Sequence, residues 1–207
     1  MMKAFQNAIP IIMKGVPTLD VEVMDVLKLD ELNFNLTGLV FTLRDGRLKG
    51  SKDIIVDNIE WDTKKLQAVI NYHVNYCELW GSYTASGKIL LLPIYGHGDL
   101  NIQFRKLYVK VTLYYDVYKK NGKSFARVKR YTNDFDVRES IRYNMTNLFN
   151  GNNELGTALL NVMNDNWEQV CKEFGKPLMD SVSKKILKNV NKFLSHSPLE
   201  EITLTYI

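Results

Sequence analysis

Histidine and cysteine are the residues of this 207-residue chain that could bind a metal or act as nucleophiles, and both are scarce. The histidines are His73, His97 and His196. None of them stands at zinc-ligand spacing from a cysteine or a carboxylate. The two cysteines, Cys77 and Cys171, are far apart in the chain. The sequence therefore predicts no metal site.

Each histidine also has a structural explanation. His73 belongs to the polar side of a predicted strand. His97 lies between Gly96 and Gly98, where glycine permits a strand break or a bulge. His196 stands near the end of the last predicted helix, where a positive charge is favourable.

Motifs for nucleophilic or phosphate chemistry are missing as well. No serine lies in a Gly-x-Ser-x-Gly elbow, and no glycine pattern is typical of a phosphate or dinucleotide loop. Cys77 or Cys171 could act as a nucleophile only if folding brought a histidine beside it. We expect no catalytic residues and no cofactor, so the prediction is a protein that is not an enzyme.

The two cysteines are predicted to be free thiols. Cys77 falls in the polar set of its strand, and Cys171 lies late in a helix. A disulfide requires Cα atoms within about 7 Å, and nothing in the sequence brings these two residues together.

Two long alternating segments predict the strands that would position a binding site. Apolar or aromatic residues occupy the even positions of 65–77 and the odd positions of 106–118, with polar residues mostly between them. Asn121–Gly122 is typical of a hairpin turn, and 125–137 is the predicted return strand. Such lengths indicate a tall, curved sheet.

Shorter signals predict the remaining turns. Asp45–Gly46 is a turn signal. Ser86–Gly87 is predicted to join strands 80–85 and 88–94. Asp62–Thr63 is predicted to turn the chain after another strand.

Helices are predicted at both ends of the chain. A short apolar helix is expected over 2–14, with Pro10 kinking it or lying early in it. After the turn Asn150–Asn152, Asn152 or Asn153 can cap a helix that continues to Val170. A second helix is predicted to begin at Pro177, with Leu178, Val182, Ile186 and Val190 buried against the concave face of the sheet.

These elements predict a single α+β domain over residues 1–207. Its fold class is a long curved antiparallel sheet wrapped around a long C-terminal helix, because no other element could cover the sheet. The apolar faces would then converge on one interior space. The residues predicted to line it are Ile70, Tyr72, Val74, Tyr76, Val109, Val111, Leu113, Tyr115, Met163, Trp167, Val182 and Ile186.

Composition leaves two interpretations of that interior open. It is either a filled core or an elongated apolar cavity in which flexible methionines adapt to a ligand and tyrosine hydroxyls orient its polar end. Both need the same residue types. The composition, with 45% hydrophobic residues and 24% charged residues, is ordinary for a soluble globular protein.

Positive charge gathers on the last predicted helix, at Lys184, Lys185, Lys188 and Lys192. This is either a solvated face or a weak docking patch for an acidic membrane. The net charge of +4 is mild, and the aromatic residues fall on apolar faces. We therefore predict no nucleic-acid partner.

Several short motifs resemble the insect takeout and juvenile-hormone-binding protein family. They occur in the family's order over essentially the whole chain. They are Gly15-Val16-Pro17, Gly81-Ser82-Tyr83 with Gly87-Lys88-Ile89, Pro93-Ile94-Tyr95-Gly96-His97-Gly98-Asp99, Leu148-Phe149-Asn150-Gly151-Asn152 with Leu155-Gly156, and Asn164-Asp165-Asn166-Trp167.

The resemblance implies a helix wrapped by a curved sheet, related to tubular lipid-binding folds. It also implies a non-catalytic carrier whose tunnel holds a terpenoid hormone, a quinone or a fatty-acid-like molecule. We further expect a monomer. A lipid-transfer module docking through its lysine-rich helix is the alternative, and an enzyme acting on such a ligand is a third hypothesis.

The resemblance implies secretion too. No signal peptide is visible at the N-terminus, and the N-terminal cysteine pair usual in the family is missing. A cytoplasmic location is therefore the alternative.

Overall fold

The computed structural model describes residues 6, 13–36 and 38–202, without the side chain of Ile202. Apart from Gln6, Met13 and Lys14, the helix predicted over 2–14, with Pro10, lies outside the described residues.

In the part of the chain that the structure describes, seven strands form one antiparallel sheet. Its order is β1-β3-β5-β6-β7, with β2 also beside β3 and β4 also beside β5. The strands are β1 (Val26–Lys28), β2 (Leu32–Leu36), β3 (Leu39–Lys49), β4 (Ile55–Asp62), β5 (Gln67–Ile89), β6 (Leu92–Lys120) and β7 (Lys123–Met145).

Within the described residues, three α-helices follow the sheet. They are α1 (Asn153–Asp165), α2 (Trp167–His196) and α3 (Leu199–Ile202). Asn152 caps α1, because its side-chain oxygen accepts a hydrogen bond from the Leu155 amide at 3.1 Å. Short 3-10 helices occur at Pro17–Leu19, Ser51–Asp53 and Phe149–Gly151.

The long helix α2 contacts both β2 and β7, which lie on opposite sides of the sheet. The Phe174 ring of α2 stacks on Phe34 of β2, with centroids 6.3 Å apart. On the other side, a β carbon at Gly175 would stand only 2.8 Å from the Phe135 ring of β7. The helix therefore closes the open side of the curved sheet, and the predicted α+β fold is confirmed.

Two asparagines fix the helices to the free edge of β7. The side chain of Asn164 accepts a hydrogen bond from the Tyr143 amide at 2.7 Å and donates one to its carbonyl at 3.1 Å. Asn191 does the same for Val128, at 2.8 Å and 3.1 Å. Each amide group satisfies backbone groups that a neighbouring strand would otherwise pair.

The predicted start of the second long helix was wrong. The chain breaks at Asn166, which has φ −116° and ψ 34°, and the next helix runs uninterrupted through Pro177. The Asn166 side chain donates a hydrogen bond to the carbonyl of Val162 at 2.8 Å. Proline inside a helix removes one main-chain hydrogen bond, but the packing of α2 between two strands holds the helix together there.

The predicted turn at Ser86–Gly87 was also wrong, because β5 continues through it to Ile89. The chain instead turns at Leu90 and Leu91, with φ values of 48° and 69°. Gly87 is needed for close approach: a β carbon there would lie 1.9 Å from the Gly38 carbonyl oxygen.

The turn predicted at Asp45–Gly46 and the strand break or bulge predicted around His97 both lie inside continuing strands. At Asp45, with φ 52°, the register of β3 shifts against β5 and the strand continues. Gly96 and Gly98 do not break β6. A β carbon at these two positions would stand 2.7 Å and 2.6 Å from the carbonyl oxygens of Asn147 and Thr146.

Near their middle, β5 and β6 change the side that faces inward. The buried positions of β5 are even up to Val74 and odd from Cys77 onward, with two exposed residues between. On β6 the change comes at Arg105 and Lys106. Lys106 has a φ of 55°, and the register of β6 against β7 shifts at this point. Because neighbouring strands change phase at similar heights, each strand presents apolar residues to the helix both before and after the change.

The close approach at Gly87 predicts a strong effect of a single methyl group. Gly87→Ala should lower the free energy of unfolding by at least about 2 kcal/mol, because both its φ of 128° and the carbonyl contact oppose a side chain. Gly122→Ala is the control, since Gly122 has φ 78° and open space around it, and should cost about 1 kcal/mol. Equal losses of unfolding free energy for the two variants, measured by urea unfolding, would contradict the close packing of Gly87 against the Gly38 carbonyl between β2 and β3.

Candidate functional site

An apolar cavity lies between the inner face of the sheet and the helices. The space between the atoms that line it amounts to about 1310 Å³, its open mouth included. Within this space, the volume that the centre of a water-sized sphere can occupy is about 140 Å³. The cavity is therefore narrow for its extent.

Nearly all of the lining is aliphatic, aromatic or sulfur-containing. The strands contribute Leu32, Phe34, Leu39, Phe41, Leu43, Leu48, Tyr72, Val74, Cys77, Leu79, Ile89, Ile94, Leu100, Ile102, Phe104, Leu107, Val109, Phe135, Tyr143 and Met145. The helices contribute Met163, Val170, Cys171, Phe174, Gly175, Leu178, Met179, Val182 and Ile186, and the β3–β4 connection contributes Gly50, Ser51 and Ile54.

Half of the residues predicted to line a cavity do so. They are Tyr72, Val74, Val109, Met163, Val182 and Ile186. The helix residues Leu178, Val182 and Ile186 pack against the main core, and Val190 is partly buried.

The other half lie elsewhere. Ile70, Val111 and Leu113 are partly buried but do not belong to the lining. Trp167 packs against the main core at the start of α2.

The prediction that Tyr76 lines the interior was wrong, and the cause lies in the strand itself. The Tyr76 side chain is 41% exposed, because the inward side of β5 changes between Val74 and Cys77. Cys77 and Leu79 take the interior positions instead. Extending the alternation beyond Tyr76 in the opposite phase would have identified both residues.

Tyr115 was also predicted to line the cavity, but it lies outside the lining. It is buried in a separate small core with Ala126 and Leu199. Trp61 packs on it at a centroid distance of 5.2 Å, and Leu194 of α2 also contacts this core. The inner face of the sheet is therefore filled at this end and lines a cavity in its larger part.

Two tyrosines, Tyr72 and Tyr143, contribute phenol groups to the described lining, beside the hydroxyl-bearing Ser51. Among the described residues, no hydrogen-bond partner is found for the hydroxyl of Tyr72 or of Tyr143. Burial raises the pKa of Tyr72 to about 12 and also raises the pKa of Tyr143. Both phenols stay protonated at neutral pH and can donate a hydrogen bond.

The two cysteines are free thiols, and both line the cavity. The prediction that Cys77 belongs to the polar set was wrong, since it is only 4% exposed. Burial raises the pKa of Cys77 to about 12 and that of Cys171 to about 11. A thiol that holds its proton is a poor nucleophile, so burial does not activate either cysteine for attack on a bound molecule.

The histidines stay out of this site. His73 pairs with Asp57 across β4 and β5, its Nδ1 lying 2.8 Å from a carboxylate oxygen. The His73 ring also stacks on Tyr108, with centroids 4.9 Å apart. In the part of the chain that the structure describes, no cluster of three or more metal-ligating side chains occurs.

Two of the four helix lysines are committed to ion pairs. The amino group of Lys185 lies 3.1 Å from a Glu22 oxygen, and that of Lys192 lies 2.7 Å from Asp20. They tie the segment before β1 to α2. Lys184 and Lys188 are exposed. The lysine-rich face is therefore partly neutralised by the protein itself.

Comparisons with known proteins agree with this architecture. The model of the haemolymph juvenile hormone binding protein family matches residues 1–204. The crystal structure of Epiphyas postvittana Takeout 1 superposes with a TM-score of 0.94 at 43% identity, covering 97% of this chain and 93% of that one. The family resemblance of the sequence is thus confirmed.

Two curated relatives are more distant. The circadian clock-controlled protein daywake of Drosophila yakuba is 22% identical over 200 residues, which are 91% of this chain and 76% of that protein. Daywake of Drosophila melanogaster is 26% identical over 125 residues, 60% of this chain and 48% of that protein. The latter match spans about half the length of the relative. Within the described residues, no helix has the length and apolar content needed to cross a membrane.

The buried Cys77 thiol predicts a loss of stability at alkaline pH. Its pKa is about 12 in the folded protein against an ordinary value of 9.0. Between these values the unfolded chain releases a proton that the folded chain retains, so unfolding becomes more favourable as pH rises. This contribution to the free energy of unfolding should fall by on the order of 1 kcal/mol per pH unit.

Urea unfolding of the wild type and of Cys77→Ala at pH 8 and pH 10.5 isolates this contribution, because other titrating groups cancel in the comparison. The variant should lose less stability between the two pH values. Parallel losses would show that the Cys77 thiol is as accessible to solvent when folded as when unfolded.

Proposed function

This chain belongs to the haemolymph juvenile hormone binding protein family, and we propose that it is a non-catalytic carrier that holds an elongated hydrophobic ligand in its cavity. The observation that carries the proposal is the apolar cavity that α2 closes against the sheet. A terpenoid hormone, a quinone or a fatty-acid-like molecule is the ligand class. The family's description as haemolymph proteins supports secretion, and we propose that the protein acts there as a monomer.

The energetics of burial support such a carrier. Each methylene transferred from water contributes roughly 0.8 kcal/mol, so a chain of about 15 carbons contributes on the order of 12 kcal/mol before costs. Association costs at least about 4 kcal/mol. Micromolar to nanomolar affinity is thus reached with few polar contacts, and the length and width of the ligand select it.

The flexibility of the lining bears on the width of the ligand. Met145, Met163 and Met179 line the cavity, and methionine side chains adapt to irregular shapes at low cost. We infer that a ligand wider than the narrow empty space is admitted when these side chains move.

The chemistry of the interior supports carriage rather than turnover. Burial moves the pKa of both thiols further above neutral pH, so neither is an activated nucleophile, and His73 lies outside the lining. We propose that a ligand leaves the cavity chemically unchanged. Turnover of a candidate ester by the purified protein would contradict this part of the proposal.

Narrowing the cavity should remove ligand binding. Val182→Phe adds bulk to a residue of the lining, and Val190→Phe adds the same bulk on the same helix outside the lining. If the space is a cavity, Val182→Phe should keep its thermal midpoint and lose affinity for a fluorescent fatty-acid probe by at least about tenfold. Overpacking of a filled core would instead cost about 1–3 kcal/mol of stability.

Val190→Phe should leave probe affinity unchanged. The carrier proposal fails if the wild type binds neither the fatty-acid probe nor a terpenoid probe. Mass spectrometry of an organic extract of the protein from its native source would identify the ligand.

The phenol groups should matter only for ligands that have a polar end. Tyr72→Phe and Tyr143→Phe each remove a hydrogen bond worth about 0.5–1.5 kcal/mol, so affinity for an ester or acid should fall by up to roughly tenfold. Affinity for a hydrocarbon of equal length should not change.

Tyr83→Phe is the matched control, because the Tyr83 hydroxyl donates to the carbonyl of Thr146 at 2.7 Å and lies outside the lining. It should lower stability without changing affinity. Equal losses of affinity for the polar and the apolar ligand in the Tyr72 and Tyr143 variants would rule out a role for their hydroxyl groups.

A further inference from the structure

The turn between β5 and β6 combines an unfavourable backbone with an exposed apolar side chain. Leu90 and Leu91 both have positive φ, 48° and 69°, the conformation for which two-residue hairpins favour Asn-Gly. The Leu91 side chain is 90% exposed. Leu90 packs against the main core, so Leu91 alone projects fully into solvent.

A second hairpin tip lies beside this turn. The Lys88 amide donates a hydrogen bond to the carbonyl of Gly38, between β2 and β3, at 3.1 Å. Val40 pairs with Ser86, which pairs with Tyr95. The side chains of Val40 and Tyr95 are both about half exposed. We call these joined segments, 33–42 and 85–96 with Thr37 not described, the leucine tip.

The leucine tip is almost without charge. In sequence, Lys88 is its one charged residue, whereas a quarter of the whole chain is charged. Lys88 is exposed. Entry into an apolar layer therefore desolvates no carboxylate, and the single positive charge favours an anionic surface.

The cavity reaches the base of the leucine tip. Ile89 and Ile94, which flank the turn, line the cavity, and so does Leu39 of the neighbouring hairpin. Leu92, on the same side of β6 as Ile94, is 38% exposed. An apolar surface thus continues from the lining to the outer end of the molecule.

We propose that the leucine tip inserts into the interfacial layer of a lipid bilayer. The tip is a protrusion rather than a groove, so it fits a fluid apolar layer that closes around it. A protruding end that exposes leucine side chains and carries a single lysine charge matches a surface of phospholipid headgroups over acyl chains. Insertion of the leucine tip is inferred from these observations alone. Exchange of a ligand between the bilayer and the cavity through the tip rests, in addition, on the proposed carrier function.

Co-sedimentation with phosphatidylcholine vesicles, with and without phosphatidylglycerol, tests the docking directly. The wild type should bind both and bind the anionic vesicles more tightly. Leu91→Gly suits the positive φ and removes the apolar side chain, and it should weaken binding by about tenfold, because a buried leucine contributes at least that factor. Leu91→Asp should abolish binding to the anionic vesicles.

Leu66→Gly is the matched control. Leu66 also has positive φ, 51°, and is 37% exposed, but it stands at the turn before the opposite end of β5. This variant should bind vesicles as the wild type does. Val182→Phe should do so as well, which separates docking from ligand binding.

Three results would overturn the proposal. One is no vesicle binding by the wild type at either composition. Another is unchanged binding by both Leu91 variants together with its loss in Lys184→Ser/Lys188→Ser, which would assign docking to the helix lysines. The third is a dimer in sedimentation velocity that Leu91→Gly dissociates without any vesicle binding, which would make the tip a contact between two copies of this chain.

Discussion

A strand that must face one helix along its whole length cannot keep a strict two-residue alternation, because twist and coiling turn its sides away from the helix. In this protein β5 and β6 solve the problem with a change of phase near their middle. Tyr76 and Arg105 lie exposed there, and Cys77 and Phe104 enter the interior. The lining on the far side of the irregularity exists only because of that change.

Much of the fold follows from local sequence. The alternation of 65–77 and 106–118 predicts the two central strands, and the Asn121–Gly122 turn and the Asn152 cap lie where their residue types require. The phase change is different in kind. On β6 the adjacent charged residues Arg105 and Lys106 mark it in the sequence, but on β5 only pairing with the neighbouring strand decides which phase faces the helix.

The wrongly predicted ends of strands and helices have the same cause as the unpredicted phase change: contacts with neighbouring elements override the local sequence signal. Gly87 lies inside a strand because a neighbouring carbonyl approaches it closely, and Leu90 and Leu91 turn without glycine because the flanking strands fix them. Pro177 continues a helix that is packed on both sides. For the same reason only half of the residues predicted to line the cavity do so. Tyr115, for example, has the right residue type and strand face, but α3 and the end of α2 fill the space above it.

The side-chain amides of Asn164 and Asn191 have a consequence for self-association. The last strand of an open sheet presents unpaired amides and carbonyls that can recruit a strand from another molecule, which is how edge-to-edge aggregation begins. Here the two asparagines occupy those groups at Tyr143 and Val128. They act as strand terminators as well as helix anchors, and they let the sheet stay open along the side where the helix must lie without becoming a template for fibril growth.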